Sequence, residues 1–449
     1  MQTCRTTMRK SRGTIAAMVC ITALVGCQAA SAADSTLLEY VKAPDAAFAW
    51  RVISTAQEPQ ATVYNLELTS QNWRGIIWKH ALSVIKPASV VRPSHALLHI
   101  TGGSNPIGRF DGDTGEARIL CRIAETIGAV VAVVHQVPNQ PLYDGLSEDA
   151  LIAYTFDQYM QTGNATWPLL LPMVKSAVKA MDATQAFARQ NLGIAIDHFV
   201  VNGGSKRGWT TWLTGALDSR VRGIAPMVID VLNMAEQMPH QLEVWGAYSD
   251  QIDDYTKLNI QDRMATPSGQ RLLQIVDPFS YIDRLTMPKL IFIGTNDPYW
   301  PVDAVNLYFD ELKGQKHLLY IPNAGHDLGS GREAIAGIIG FFMHVASGTP
   351  LPHYSWKVNR EAGGATLTIA ARKKPLEANL WSAVSPTRDF RQAMWGKVTI
   401  SAGPDGGYLA DLEIPQAGYV ALYGELVYPI VAGSQTYSLC TTTHVLPEK

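Results

Sequence analysis

The chain has 449 residues, too many for one small core, and two domains are the prior that its length sets. Its 47% hydrophobic and 17% charged residues are those of an ordinary globular protein, which excludes a disordered chain and a multi-span membrane protein. The formal charge of −2 includes Arg5, Arg9, Lys10 and Arg12 at the extreme N-terminus; without them the remainder is about −6, which argues against a nucleic-acid partner.

Those four basic residues precede an apolar run over 14–25 that is too short to span a bilayer, the form of an export signal over 1–33. Two exits follow. Leu24-Val25-Gly26-Cys27 resembles a bacterial lipobox, in which Cys27 is acylated and becomes the mature N-terminus. Ala30-Ser31-Ala32 and Ser31-Ala32-Ala33 are small-x-small sites for ordinary signal peptidase, and by that route Cys27 is discarded. Both routes predict export, to the periplasm, to the outer membrane as a lipoprotein or to the outside, with no transmembrane span in the mature chain. Past Cys27 only Cys121 and Cys440 remain; they read as buried free thiols, with a disulfide as the alternative. The sequence contains no C-x-x-C, H-E-x-x-H, Walker loop or G-x-G-x-x-G, so no metal or organic cofactor is implied.

Residues 62–68 alternate like a strand, and 73–82 contain a second. His95-Ala96-Leu97-Leu98-His99-Ile100 is a buried strand that stops at Thr101-Gly102-Gly103-Ser104, a glycine pair with free backbone N–H groups. Residues 117–127 read as a helix, 129–134 as a strand buried on both faces of a parallel sheet, and 173–188 as a helix. The run from His198 to Val201 stops at Asn202-Gly203-Gly204-Ser205-Lys206-Arg207-Gly208, and an amphipathic helix follows from Trp209. A strand over 221–228 ends at Ile229-Asp230, and one over 289–293 leads into Gly294-Thr295-Asn296-Asp297. A helix over 304–312, a strand over 317–321, the loop Pro322-Asn323-Ala324-Gly325-His326 and a helix over 333–345 complete the series.

Strands alternating with helices predict a doubly wound, mostly parallel sheet within 34–349. Two insertions, about 136–172 and 231–282, leave the strand ends where such a sheet places its ligand crevice, and they read as lids or as packing elaborations. From about 350 the pattern changes to seven short strand-like runs between 354 and 440, which predict a small antiparallel β-sandwich over 350–449 without a catalytic group of its own.

The strand–turn–helix around Ser205 is the setting of a nucleophile elbow, although the spelling departs from G-x-S-x-G: Arg207 stands at +2 and the glycine arrives as Gly208. Ser205, Asp297 and His326 follow the Ser…Asp…His order of α/β-hydrolases, each just past a strand end. A serine hydroxyl needs an adjacent base to attack at neutral pH. His326 is that base, and Asp297 fixes its tautomer, with Asp230 as the alternative acid. The N–H groups of Lys206 and of Gly103 or Ser104 would hold the oxyanion. Lys206 and Arg207 read either as an anion receptor or, for Arg207, as a partner for a structural carboxylate. Trp209, Trp212, Tyr299 and Trp300 read as part core, part pocket wall. His135 and Gln136 stand at the pocket edge, His135 as pocket or packing residue. Glu148 and Asp149 read as a solvated helix start or as a tie under the site.

With these residues the chain resembles the PhoPQ-activated pathogenicity-related protein family over essentially all of its mature length. The resemblance is carried by Leu68-Thr69-Ser70-Gln71-Asn72-Trp73, Leu98-His99-Ile100-Thr101-Gly102-Gly103 and Gln136-Val137-Pro138-Asn139-Gln140-Pro141-Leu142. It continues through Glu148-Asp149-Ala150-Leu151-Ile152-Ala153-Tyr154-Thr155, Gly204-Ser205-Lys206-Arg207-Gly208-Trp209 and Pro226-Met227-Val228-Ile229-Asp230. It implies an α/β-hydrolase-like domain, export from bacteria and a link to virulence and antimicrobial-peptide resistance, but no defined reaction. The Gly-x-Ser-x-x-Gly spelling also resembles glucuronoyl and related carbohydrate esterases. Pro298 is a departure, standing where the family carries an acidic residue.

The sequence thus predicts an exported serine hydrolase acting on a small-molecule or polymer ester. Two other readings stand beside it. One is a catalytically silent hydrolase fold used as a secreted binding or signalling protein, and the other is a peptidase on cationic peptides.

Overall fold

The computed structural model describes residues 2, 36–106, 115–361, 363–404, 406–430 and 435–447; Cys27 and, apart from Gln2, the rest of the export signal expected over 1–33 lie outside the described residues. Nine strands build the first part of the sheet: β1 (Ala49–Gln57), β2 (Ala61–Trp73), β3 (Ile76–Pro87), β4 (His95–Ile100), β5 (Val130–Val134), β6 (His198–Gly204), β7 (Val221–Met227), β8 (Lys289–Gly294) and β9 (Lys316–Ile321). Their spatial order is β1-β2-β3-β5-β4-β6-β7-β8-β9. Pairing is antiparallel as far as β3–β5, and parallel from β5 through β9. All five residues of β5 and all six of β8 are buried, as strands covered by helices on both faces must be. Successive residues serve opposite layers: Leu98, Val201, Ile291 and Leu318 join one core, and Leu97, Val200, Phe292 and Leu319 the other.

The register aligns the strand ends. Ile100 pairs with Gly203, Gly204 with Met227, and Gly294 with Ile321. The residues that follow β4, β6, β7, β8 and β9 therefore leave the sheet along one edge, where open α/β sheets hold their ligands.

Two expected boundaries change. β1 was not legible, because it is an edge strand with seven of nine residues exposed and so lacks a clean alternation. The helix expected over 304–312 is one 3-10 turn, Ala304–Leu307. The chain leaves helical geometry at Tyr308 (φ −146), whose hydroxyl donates to buried Asp230.

The C-terminal strands are β10 (Tyr354–Glu361), β11 (Gly364–Ala371), β12 (Glu377–Ser385), β13 (Gly396–Thr399), β14 (Tyr408–Glu413), β15 (Tyr419–Pro429), β16 (Thr436–Cys440) and β17 (His444–Leu446). β10-β11-β14 form a separate antiparallel sheet. It packs on the other strands where Gly424 admits Ile369, since a Cβ there would run into Ile369 Cδ1. The remaining strands extend the central sheet in the order β9-β16-β15-β12-β13, with β17 beside β15. The join is an antiparallel bridge between Cys440 and Leu318, and Cys440 and Cys121 are both buried free thiols. Among the described residues no helix is long and apolar enough to cross a membrane.

Candidate active site

Ser205 caps the helix Lys206–Leu217 with φ 56 and ψ −129, a conformation that costs an L-residue about 1–3 kcal/mol and collects at functional sites. Close approach holds it. A Cβ on Gly203 would stand 2.8 Å from the Arg207 carbonyl oxygen, and one on Gly208 would stand 2.6 Å from Ile229 Cγ2. The Ser205 N–H donates to the Met227 carbonyl at 2.9 Å, which pins the turn to β7. Gly208 at +3 thus admits the neighbouring strand, while nothing lies within 4 Å of a Cβ on Gly204.

The histidine–carboxylate pair is built across the ends of β8 and β9. His326 Nδ1 lies 2.9 Å from Asp297 Oδ2, and Asp297 Oδ1 accepts the Tyr299 N–H at 2.8 Å. Asp297 therefore serves both as a turn residue before Pro298 and as the partner of His326. The Tyr299 ring stacks on the imidazole at 4.1 Å between centroids. Asp230 is elsewhere: it accepts the Tyr308 hydroxyl, and burial, with the nearby Asp297 charge, pushes its carboxyl up to about 7. Of the two candidate acids, Asp297 is the one bonded to His326. Nε2 of His326 is buried and has no hydrogen-bond partner among the described residues, Ser205 Oγ included.

Both loops are held from far along the chain. Asn296 Nδ2 donates to the carbonyls of Phe390, Arg391 and Ala393 at 3.3, 3.2 and 2.8 Å. Asn323 exchanges two bonds with the Trp395 backbone, at 3.0 and 2.7 Å. Arg388 reaches Asp303 and Glu243 at 2.9 Å each, and Arg391 lies over the Trp245 ring. One loop between β12 and β13 thereby grips the Asp297 loop, the His326 loop and the helix Met234–Trp245 of the second insertion.

The basic pair after Ser205 is spoken for by protein carboxylates. Lys206 Nζ lies 2.9 Å from both Glu148 Oε2 and Asp149 Oδ2. Arg207 forms a fork with Glu148 at 2.6 and 2.8 Å and donates to the Val137 carbonyl at 2.6 Å. A Cβ on Gly102 would stand 2.6 Å from Arg207 Nη2, so one glycine of the Gly102-Gly103 pair makes room for the guanidinium. Burial raises the Glu148 carboxyl, but the Arg207 and Lys206 hydrogen bonds and charges win and hold it down at about 2. Glu148 and Asp149 are the tie under the site, and Asp149 also accepts the Tyr255 hydroxyl at 3.0 Å, a partner that nothing in the sequence marked.

Gly103 (φ +126) and Ser104 stand exposed after β4, with the Gln136 amide beside Gly103. Gln136 is buried and accepts the Ala81 N–H, and the His135 carbonyl meets His80 Nδ1, so both side with the β3–β5 wall. Burial, with His99 nearby, lowers the His135 imidazole to about 4. Trp209 donates its Nε1 to the Val276 carbonyl at 2.6 Å. Trp209, Tyr299 and Trp300 line a cavity that opens on Ser205; Trp212 is core. Among the described residues no group of three His, Cys, Asp or Glu could hold a metal ion.

This strand order, with a serine on a strained turn after β6, an acid after β8 and a histidine after β9, defines an α/β-hydrolase fold. The chain belongs to the PhoPQ-activated pathogenicity-related protein family, whose sequence profile matches residues 37–391. Autocrine proliferation repressor protein A of Dictyostelium discoideum is 33% identical over 453 residues, spanning 93% of this chain and 91% of that one. Similar solved structures include acetyl xylan esterase 1 from Thermoanaerobacterium sp., at 17% identity and TM-score 0.45 over 70% of this chain and 93% of that one. A glucuronoyl esterase from Solibacter usitatus is similar at 12% identity and TM-score 0.42, over 70% and 92%.

Proposed function

We propose that this protein is an exported serine hydrolase that cleaves carboxylic esters through an acyl-enzyme. The observation that carries the reading is a serine held at φ 56 before a helix, on the same sheet edge as a histidine bonded to a buried carboxylate at 2.9 Å. Ser205 Oγ attacks the ester carbonyl carbon while His326 Nε2 takes its proton, and Asp297 holds the proton on Nδ1 and stabilises the imidazolium. Collapse of the tetrahedral intermediate expels the alcohol, which takes the proton back from His326. Water, activated by the same imidazole, then releases the carboxylic acid and frees Ser205. The developing oxyanion is assigned to the N–H of Lys206 and of Gly103 or Ser104, and one such donor is worth about 3–4 kcal/mol. The Ser205–His326 hydrogen bond is not made in this structure, and bonds of this kind often tighten only when substrate is bound.

The same unpartnered Nε2, with Tyr299 stacked on its ring, favours one second reading: a silent hydrolase fold that acts by binding, as the name of the Dictyostelium relative evokes. Hydrolysis of p-nitrophenyl acetate, butyrate and hexanoate by wild type beside Ser205→Ala separates the two. Turnover lost in the variant supports the hydrolase; folded wild type without turnover on any ester leaves the binding protein. For the N-terminus we propose a lipid anchor at Cys27, and palmitate incorporation that survives Cys27→Ala would contradict it.

A further inference from the structure

Ser205 opens onto a cavity of about 60 Å³ on the side of the two insertions. Phe156 contributes from the first insertion, Met234, Met238 and Met264 from the second, and Trp300 from the loop after Asp297. Its charged wall groups are already engaged. Asp149 is satisfied by Lys206 and Tyr255, and Lys206 by Asp149 and Glu148. Gln261 Oε1 and Trp300 Nε1 in the same lining are buried without hydrogen-bond partners, and both are neutral. The charges of the wall are therefore balanced: a carboxylate or phosphate entering it would find no cation free, and an ammonium no free anion.

The direction of the cavity decides which half of an ester it takes. The leaving alcohol must receive its proton from His326, and His326 is not part of the wall. Tyr299 lines the cavity with its ring stacked on His326, so it stands as the partition between the two sides. The space across that partition belongs to the other side of the carbonyl. A single water needs roughly 10–15 Å³ of such space, so the cavity holds more than the one methyl that an acetyl group places beyond its carbonyl. Three methionines in the wall adapt to the shape of what enters.

We infer, resting on the reading of Ser205 as nucleophile, that this cavity is an acyl pocket selecting neutral, apolar acyl chains longer than acetyl. The two insertions then act as specificity elements as well as covers. Acetyl esters and esters of charged acids are poor substrates, whatever alcohol they carry.

A series of ethyl alkylphosphonofluoridates with methyl, butyl, hexyl and decyl groups on phosphorus tests this on the full-length protein. Ser205 Oγ displaces fluoride from phosphorus, its proton passing to His326, and the alkyl group takes the place of the acyl chain. Labelling of Ser205, timed by intact-mass spectrometry, is expected to be at least about tenfold faster with butyl or hexyl than with methyl. Met238→Trp, which fills the cavity, is expected to collapse that ratio; Met264→Phe, at a half-buried position, is a milder second variant if the first does not fold. A flat chain-length profile in wild type, or a ratio unchanged in both folded variants, overturns the acyl pocket while labelling still upholds the nucleophile. Absence of labelling at every chain length overturns the nucleophile instead. Calorimetry of wild type with hexanamide and acetamide then reads the pocket alone: tighter hexanamide binding supports it, and equal or absent binding overturns it.

Discussion

The two halves of the candidate site are held by opposite means. The Ser205 side is local: three glycine and serine positions within six residues, a strained φ and a bond to the adjacent strand fix it. The Asp297–His326 side is assembled at long range, with Asn296 and Asn323 bonded to residues 390–395, between 72 and 97 positions away. A nucleophile can be built by backbone strain alone, because its geometry is a property of one turn. A histidine and its carboxylate partner on two separate loops need a third body to set their spacing, and here a C-terminal loop supplies it. The C-terminal region is thus part of the site's frame, although it brings no reacting group.

The comparison breaks first at the serine. Ser205→Ala is expected to cut ester turnover by about 10⁶-fold with the fold retained, read by steady-state kinetics beside circular dichroism. The acids come next. Asp297→Asn is expected to lower kcat/KM by about 10⁴-fold, because His326 loses its tautomer. Asp230→Asn, whose side chain faces Tyr308, is expected to stay within about threefold, and the reverse ranking would reassign the acid.

The long-range grip gives a smaller, diagnostic effect. Asn296→Ala removes the amide that three carbonyls share and lets the Asp297 loop shift, and a displacement near 1 Å can cost about 10²-fold. The expected result is a 10- to 100-fold loss in kcat with KM little changed; Asn323→Ala should behave alike, and the pair should be less than additive if one latch serves both loops. A purely structural role would lower the melting temperature and leave kcat of the folded fraction intact.

The ion-pair tie under Ser205 yields the smallest change. Burial favours the neutral Glu148 carboxyl, yet Arg207 and Lys206 hold it near 2, below its ordinary 4.5. The stability this contributes is complete above about pH 4.5 and is lost as pH falls through the window down to about 2. Melting temperatures of wild type are expected to fall across that window more steeply than those of Glu148→Gln.

These two halves also differ in how far they could be read from the chain. The Ser205 turn was legible, because strand propensity, glycine spacing and helix pattern all sit within a dozen residues. That Ser205, Asp297 and His326 each stand past a strand end was legible too, since each follows an apolar run. The choice between Asp297 and Asp230 was not, because it depends on Tyr308 leaving its expected helix to meet Asp230. Nor was the grip on Asn296 and Asn323: its acceptors are backbone carbonyls, which carry no sequence signal. The join of β16 to β9 escaped for the same reason, since strand pairing is written in register and not in residue type. Lys206 and Arg207 could be read either as an anion receptor or, for Arg207, as a carboxylate partner, because Glu148 and Asp149 lie in an insertion nearly sixty residues earlier and only the fold brings them together.

The central claim is that Ser205 is an activated nucleophile served by His326. Its most direct measurement is fluorophosphonate labelling of wild type, Ser205→Ala and His326→Ala, with mass spectrometry of the modified peptide. The account predicts one adduct on Ser205, none in Ser205→Ala, and labelling slowed by about 10²–10⁴-fold in His326→Ala. Folded wild type that takes no label, or a His326→Ala variant that labels as fast as wild type, would contradict it.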